Sequence, residues 1–295
     1  MPREVMRWLR PTAGEAVADC TLGYGGHAAE FLRRIGPAGR LVGLDVDGPE
    51  LQRAGRRLAA LGVPLALHRA NFARLPEVMA EEKLDGFDIL FADLGASSMQ
   101  IDDPRRGISY AHDGPLDMRM DDRQESTGAD LLASMSQEEL SRALEELSDE
   151  EDYRRIAEWI VRQRQVRPIS TTGELIRLVL NAKGYSPRSR RRPWEVPGGL
   201  HPAAKTFQAL RILVNGELES LKSLLAAVPQ CLRGGGRVGI ISFHSGEDRL
   251  VKNAFRDGLR EGVYRNVCPH VIVPSGREVH ENPRSSSAKF RWAIL

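Results

Sequence analysis

The chain of 295 residues has only three cysteines, Cys20, Cys231 and Cys268, and no pair of them stands in a C-x-x-C spacing. Three cysteines so far apart argue against a disulfide framework and a structural zinc site, and the sequence predicts no bound metal. Cys20 falls inside the apolar run "AVADCTL", where a buried free thiol is ordinary.

Long apolar runs are also missing, since no stretch approaches the length needed to span a membrane. The first eleven residues, "MPREVMRWLRP", mix acid, base and proline and lack the apolar centre of a signal peptide. We therefore expect a cytoplasmic protein.

The chain carries little net charge, with a formal value of +2 from 42 basic and 40 acidic residues. The charge is uneven, because "SPRSRRRP" (186–193) contains four arginines and no acid. We expect this patch to contact phosphates, and a solvated loop is the alternative that stays open. Its arginines are Arg188, Arg190, Arg191 and Arg192.

Apolar runs alternate with helical patterns, which predicts an α/β fold with a parallel sheet. The runs are "AVADCTL", "RLVGLDVD", "LALHRANF" and "FDILFADLG", then "GGRVGIISFH" from Gly235 and a closing "SSSAKFRWAIL". The long gap before Gly235 is charged and helical in pattern, so we predict a helical domain at 105–200 inserted between 1–104 and 201–295. Loops at the carboxyl ends of parallel strands commonly carry function.

The turn after the first predicted strand, "DCTLGYGGHAAEFLRRIG", is rich in glycine and opens a helix. It is not the dinucleotide pattern G-x-G-x-x-G, because Ala28 stands at the third glycine position. Asp45 ends the second predicted strand, where an acid in such folds holds ribose hydroxyls. With Phe72 and Asp93 after the third and fourth strands, this layout predicts an S-adenosylmethionine pocket.

Each of these residues has a plainer interpretation. Asp45 could cap the helix that starts near Pro49, Phe72 could belong to the core, and His27 could simply begin a helix. Their joint placement at successive strand ends favours the pocket.

Several long strings in the chain resemble the MraW family, in order and over nearly its whole length. They are "TLGYGGHAAEFL", "FADLGASSMQIDDPRRGISY", "GPLDMRMD", "HPAAKTFQALRILVNGEL", "ISFHSGEDRLVK" and "NPRSSSAKFR". The resemblance implies a Rossmann-like S-adenosylmethionine-dependent methyltransferase domain with an inserted helical domain. It implies methyl transfer to N4 of a cytidine in the decoding region of 16S rRNA, within the small ribosomal subunit; a homodimer is one option for its assembly. The implied cofactor contacts are Gly25, Gly26, His27, Asp45, Phe72, Asp93 and Gln100.

The chain departs from the family pattern at four places, one of which is "SDEEDYRRIA" where the family has "G-E-E" before "RIA". It starts almost at "EVMRWL", where the family has an earlier "H-x-P-V-L" segment, and Gly246 replaces the leucine of "FHSLEDR". It also carries the extra "YSPRSRRRPWEVPGGL". We expect these changes to affect substrate docking more than chemistry.

Many amino-methyltransferases place "D/N-P-P-Y/F" after the fourth strand to hold the target amine, and this chain has "DLGASS" there. Asp93 therefore has two candidate tasks, cofactor contact or acceptance of an amine hydrogen bond, and we favour the first. Ser97, Asp117 and His244 are further candidate catalytic residues. Asp117 could instead pair with Arg119 in a tight turn, and His244 could be a core residue.

Two other functional classes compete with this hypothesis. A non-catalytic RNA-binding assembly factor would keep the fold and lose the chemistry. A nicotinamide-dependent dehydrogenase is disfavoured by the absent G-x-G-x-x-G pattern.

Overall fold

The computed structural model describes residues 1–185 and 200–295. The four arginines of the "SPRSRRRP" patch lie outside the described residues. The chain divides into two units, Met1–Gly95 with Leu218–Leu295, and Ala96–Glu217. The domain boundaries predicted from the sequence, after residues 104 and 200, both fall within the second unit and stay a prediction.

The first unit is built on a sheet of seven strands in the order β3-β2-β1-β4-β5-β7-β6. Neighbouring strands from β3 to β5 run parallel, and β7 pairs antiparallel with β5 and with β6. The predicted α/β class is confirmed. The strands are β1 (Ala16–Asp19), β2 (Arg40–Asp45), β3 (Leu65–Arg69), β4 (Phe87–Asp93), β5 (Leu232–Ser242), β6 (Asn266–Val267) and β7 (Lys289–Ile294).

Helices alternate with the parallel strands and fill most of the second unit. In chain order they are α1 (Pro2–Leu9), α2 (Gly26–Ile35), α3 (Gly48–Ala59), α4 (Leu75–Glu81), α5 (Ser98–Asp102), α6 (Gly128–Ser134), α7 (Gln137–Ser148), α8 (Tyr153–Val166), α9 (Thr172–Ala182), α10 (Ala204–Asn215), α11 (Glu217–Cys231), α12 (Ser245–Arg260) and α13 (Gly276–Glu281). No helix in the described parts of the chain is long and apolar enough to cross a membrane.

Strand β4 shows why the sheet is buried on both faces. Leu90 and Ala92 pack in one core cluster, whereas Ile89 and Phe91 pack in the other. Alternate side chains of a strand point to opposite faces, so a continuous apolar run is what a strand covered on both sides requires. The run "ILFA" (89–92) is therefore entirely core.

The second unit has its own apolar core, which includes Leu116, Leu140, Ile156 and Phe207. Three of its helices, α6, α7 and α9, begin where the sequence places a hydroxyl residue three positions before an acid. Thr127, Ser136 and Thr171 each form such a capping box, in which the side chain accepts from the third helical N–H.

Candidate functional site

The turn between β1 and α2 is shaped by glycines. Gly23 and Gly25 have φ angles of 49° and 79°, in the left-handed region that favours glycine. A Cβ atom on Gly25 would lie 3.0 Å from Leu58 Cδ1 and 3.2 Å from Arg57 Nη2 on α3. Only glycine fits this position, so the backbone itself forms the surface of the turn ahead of the amino terminus of α2.

Asp45, at the end of β2, is tied directly to this glycine turn. Its Oδ2 accepts a 2.7 Å hydrogen bond from the Gly23 N–H, and its Oδ1 accepts a 2.9 Å bond from the Asp47 N–H. Burial raises the pKa of the Asp45 carboxyl. The alternative role for Asp45, capping the next helix, is taken by Asp47, whose side chain accepts from the Glu50 N–H at the start of α3.

Asp93, at the end of β4, lies beside the same turn. Its N–H donates a 2.6 Å bond to Thr21 Oγ1, and its Oδ2 lies 3.5 Å from His27 Nδ1. Burial lowers the pKa of His27 to about 3 and raises that of Asp93 to about 7. The imidazole is therefore neutral near pH 7, and the contact is not an ion pair.

Both side chains of this pair have a buried polar atom without a protein partner. Asp93 Oδ1 and His27 Nε2 contact no hydrogen-bonding group among residues 1–185 and 200–295. The Asp93 side chain as a whole keeps 31% of its surface exposed, so its two oxygens differ in environment. Buried polar atoms without partners are costly in a fold, and here they lie at the end of β4 and at the start of α2, where the sequence predicts a pocket.

Asp19 is a further acid at this edge of the sheet, and it is not among the site residues predicted from the sequence. It ends β1, is 1% exposed, and accepts from the Thr21 N–H through Oδ1, while Oδ2 has no partner within the described residues. Burial raises its pKa to about 7, and the nearby charges of Asp93 and Asp45 add to the rise. In the sequence, Asp19 precedes the glycine turn, but it lies inside the apolar run "AVADCTL" and therefore resembles part of a buried strand.

Phe72 and His244 follow two other strands of the first unit. Phe72 is half-buried and packs against the core. The His244 side chain is 9% exposed; its Nε2 lies 3.3 Å from Glu247 Oε1, and neither ring nitrogen has a hydrogen-bonding partner within the described residues. A Cβ atom on Gly246 would lie 3.1 Å from His244 Nδ1. The glycine that replaces the leucine of the family pattern therefore leaves space for the His244 ring.

The remaining candidates belong to the second unit and are held by local contacts. Ser97 Oγ accepts from the Gln100 N–H at 3.2 Å, and Gln100 Oε1 accepts from the Ser97 N–H at 3.0 Å. This reciprocal capping box begins α5 and explains why these two residue types stand three apart.

Asp117 pairs with Arg119 in a tight turn, which is the alternative role considered for it from the sequence. Arg119 Nε and Nη2 each donate a 2.8 Å bond to the Asp117 carboxylate. Burial alone would raise the pKa of Asp117, but the hydrogen bonds from Arg119 outweigh it and the pKa is lowered. Asp117 is therefore a bound carboxylate with both oxygens engaged.

Comparison with known proteins covers almost the whole chain. The family model described as "MraW methylase family" matches residues 1–294. "Ribosomal RNA small subunit methyltransferase H" of Geotalea daltonii is 43% identical over 307 residues, spanning 99% of this chain and 96% of that protein. The protein of the same name from Symbiobacterium thermophilum is 42% identical over 311 residues, spanning 99% and 94%.

Among solved structures, an rRNA methylase from Streptococcus thermophilus superposes with a TM-score of 0.45 at 10% identity. The match covers 100% of this chain and 96% of that one. A likeness this distant carries no argument about function.

Proposed function

The chain belongs to the MraW methylase family, and we propose that it transfers a methyl group from S-adenosylmethionine to N4 of a cytidine in the decoding region of 16S rRNA. The observation that carries the proposal is the match of the family model to residues 1–294. The names of the relatives support a small-subunit rRNA substrate. We further propose that the small ribosomal subunit is the substrate particle and that the enzyme acts in the cytoplasm.

The strand-end residues of the first unit fit this cofactor. The glycine turn exposes main chain at the amino terminus of α2, which suits the carboxylate of an amino acid. Asp45 is an acceptor for ribose hydroxyls, because each of its oxygens accepts one N–H and keeps a second lone pair. The partnerless atoms Asp93 Oδ1 and His27 Nε2 offer further polar contacts. The resemblance to the family supports Gly25, Gly26, Phe72 and Gln100 as the remaining members of the set.

When bound, S-adenosylmethionine supplies the electrophilic methyl group. The exocyclic amine of cytosine is a weak nucleophile because its lone pair is delocalised into the ring. Holding that amine in line with the methyl group is therefore the main task of the protein. The base has to be unstacked to expose N4, and a base in single-stranded RNA is extruded at the lowest cost.

Among the candidate catalytic residues, Asp93 and His244 have the groups best suited to accept hydrogen bonds from an amine. Asp93 has a pKa raised to about 7 by burial, so near neutral pH its carboxyl can either hold or accept a proton. The ring nitrogens of His244 are buried and have no hydrogen-bonding partner in the described part of the chain, although Nε2 lies 3.3 Å from Glu247 Oε1. We propose cofactor contact as the first task of Asp93 and assign amine contact to His244.

Ser97 and Asp117 have supporting roles in this proposal. The Ser97 hydroxyl begins α5, and its position next to Ser98 supports a contact with the target base. Because Arg119 engages both carboxylate oxygens, we propose that Asp117 shapes its loop and takes no proton. From the sequence alone, we propose that four arginines contact RNA phosphates, namely Arg188, Arg190, Arg191 and Arg192.

Methyl transfer to small subunits that lack the modification tests this function. Purified enzyme with methyl-labelled S-adenosylmethionine should label their 16S rRNA, and Asp45→Ala and Asp93→Ala should abolish labelling. Cofactor binding without any labelling would favour the non-catalytic assembly factor instead. Binding of NAD but not of S-adenosylmethionine would favour the dehydrogenase.

A further inference from the structure

Arg57 lies on α3, yet its side chain contacts the glycine turn that precedes α2. We infer that Arg57 is a positioning residue that fixes the glycine turn for the amino-acid end of the cofactor. The inference rests on the proposed function, because it takes S-adenosylmethionine as the ligand.

Two contacts join Arg57 to the turn. Arg57 lies in the last turn of α3, and its Nη2 donates a hydrogen bond to the carbonyl oxygen of Tyr24. Its guanidinium carbon also lies 4.0 Å from the centroid of the Tyr24 ring. One side chain therefore holds both the main chain and the ring of the residue between Gly23 and Gly25.

Two hydrogen bonds donated by the main chain help to fix the turn, from Gly25 N–H to the Leu22 carbonyl oxygen and from Gly23 N–H to Asp45 Oδ2, and neither of them holds Tyr24. Gly23 and Gly25 have no side chains, and glycine loses more conformational freedom on ordering than any other residue. Tyr24 is 53% exposed, so burial does not hold its ring. Arg57 Nη2 also lies 3.2 Å from where a Gly25 Cβ would stand, which places the guanidinium against the last residue before α2.

The position of Arg57 predicts which end of the cofactor depends on it. The first turn of α2 has main-chain N–H groups that find no partner within the helix, and these suit an anion. The cofactor carries its one carboxylate on the amino-acid end. The ribose end is served by Asp45, which is held by the Asp47 N–H as well as by Gly23. Loss of Arg57 should therefore weaken ligands that have the amino-acid end and leave a ligand without it nearly unchanged.

Calorimetric titration of the full chain with two ligands tests this role. S-adenosylhomocysteine carries the amino-acid end, and 5′-methylthioadenosine lacks it. We expect Arg57→Met to weaken S-adenosylhomocysteine by about tenfold or more and 5′-methylthioadenosine by less than about twofold. Arg57→Lys keeps the charge without the planar guanidinium, and we expect it to remain weakened, because stacking and bond direction are lost.

Arg56→Met is the matched control. Arg56 is the neighbouring exposed arginine, and its side chain bonds to Gln52 on the same helix. We expect it to leave both affinities unchanged, and thermal unfolding of each variant checks that the fold is retained.

The outcomes separate this inference from the proposed function. If the unaltered protein binds neither S-adenosylhomocysteine nor S-adenosylmethionine, the proposed function fails. If it prefers S-adenosylhomocysteine and Arg57→Met keeps the same preference, only the role of Arg57 is overturned. Full recovery of affinity in Arg57→Lys would also overturn it, since charge alone would then be sufficient.

Discussion

The Gly23 N–H donates a 2.7 Å hydrogen bond to Asp45 Oδ2. This bond joins the glycine turn after β1 to the end of β2, which is the neighbouring strand in the sheet. Two features that the sequence suggests separately are thus one hydrogen-bonded unit. A change at Asp45 should therefore disturb both the proposed ribose contact and the turn.

Replacing Asp45 by asparagine should weaken S-adenosylmethionine binding by at least about tenfold. An amide has one acceptor oxygen, so either the Gly23 N–H or the Asp47 N–H loses its partner. Calorimetric titration measures the effect. Asp88→Asn is the control, because Asp88 also accepts a main-chain N–H, from Ala16, but near the amino end of β4. Equal affinities of Asp45→Asn and the unaltered protein would contradict the assignment.

Alanine at Gly25 and at Gly26 should act differently. At Gly25 the left-handed backbone and the close Leu58 contact should lower the free energy of unfolding by about 1–2 kcal/mol. A Cβ on Gly26 meets nothing within 4 Å in the described structure, so Gly26→Ala should fold as well as the unaltered protein. Chemical denaturation compares the two. Equal destabilisation by both variants would show that the turn is not packed as described.

Asp19→Asn should change how stability depends on pH. The folded pKa of Asp19 is raised to about 7, so its stabilising contribution is complete below about pH 4 and is lost as the pH rises through 7. Asparagine resembles the protonated acid and does not titrate. The stability of Asp19→Asn relative to the unaltered protein should therefore rise by about 2–4 kcal/mol between pH 4 and pH 8.

Taking the difference between the two proteins removes the opposing contribution of His27. The pKa of His27 is lowered to about 3, so its contribution is present above about pH 6.5 and is lost as the pH falls through 3. Urea unfolding at several pH values provides the comparison. Parallel pH curves for the two proteins would mean that Asp19 is not a buried titrating acid.

Asp117→Asn and Arg119→Gln should lower methyl transfer to a similar extent, by about three- to tenfold. Both break the same partly buried pair, and the double variant should lose little more than either single one. Initial rates of methyl labelling of 16S rRNA measure the activity of the single and double variants. A loss in Asp117→Asn that greatly exceeds the loss in Arg119→Gln would instead place Asp117 in contact with the target base.

The parallel strands, and the positions of Asp45 and Asp93 at the ends of two of them, could be predicted from the sequence because buried strands have strong local patterns. The order of the strands in the sheet was not predicted, because it depends on pairing between distant segments. The sequence missed β6, since two residues show no periodicity. It also missed Asp19, whose one carboxylate is hidden in an apolar run. The assignment of the helix cap to Asp47 and not Asp45 required the structure, because both residues stand before the same helix.

Contacts between distant residues were beyond prediction. Arg57 and Tyr24 are 33 positions apart, and their contact exists only because α3 packs against the turn. The burial of the His244 ring likewise depends on its neighbours in space. The boundaries of the inserted domain, the homodimer and the catalytic assignments stay predictions.

Mass mapping of methylated cytidines in small-subunit rRNA, from cells with and without this gene, tests the central claim most directly. We predict that one N4-methyl group in the decoding region of 16S rRNA disappears when the gene is removed and returns with the unaltered gene. It should not return with Asp45→Ala. An unchanged map of N4 methylation in cells without the gene would contradict the proposed function.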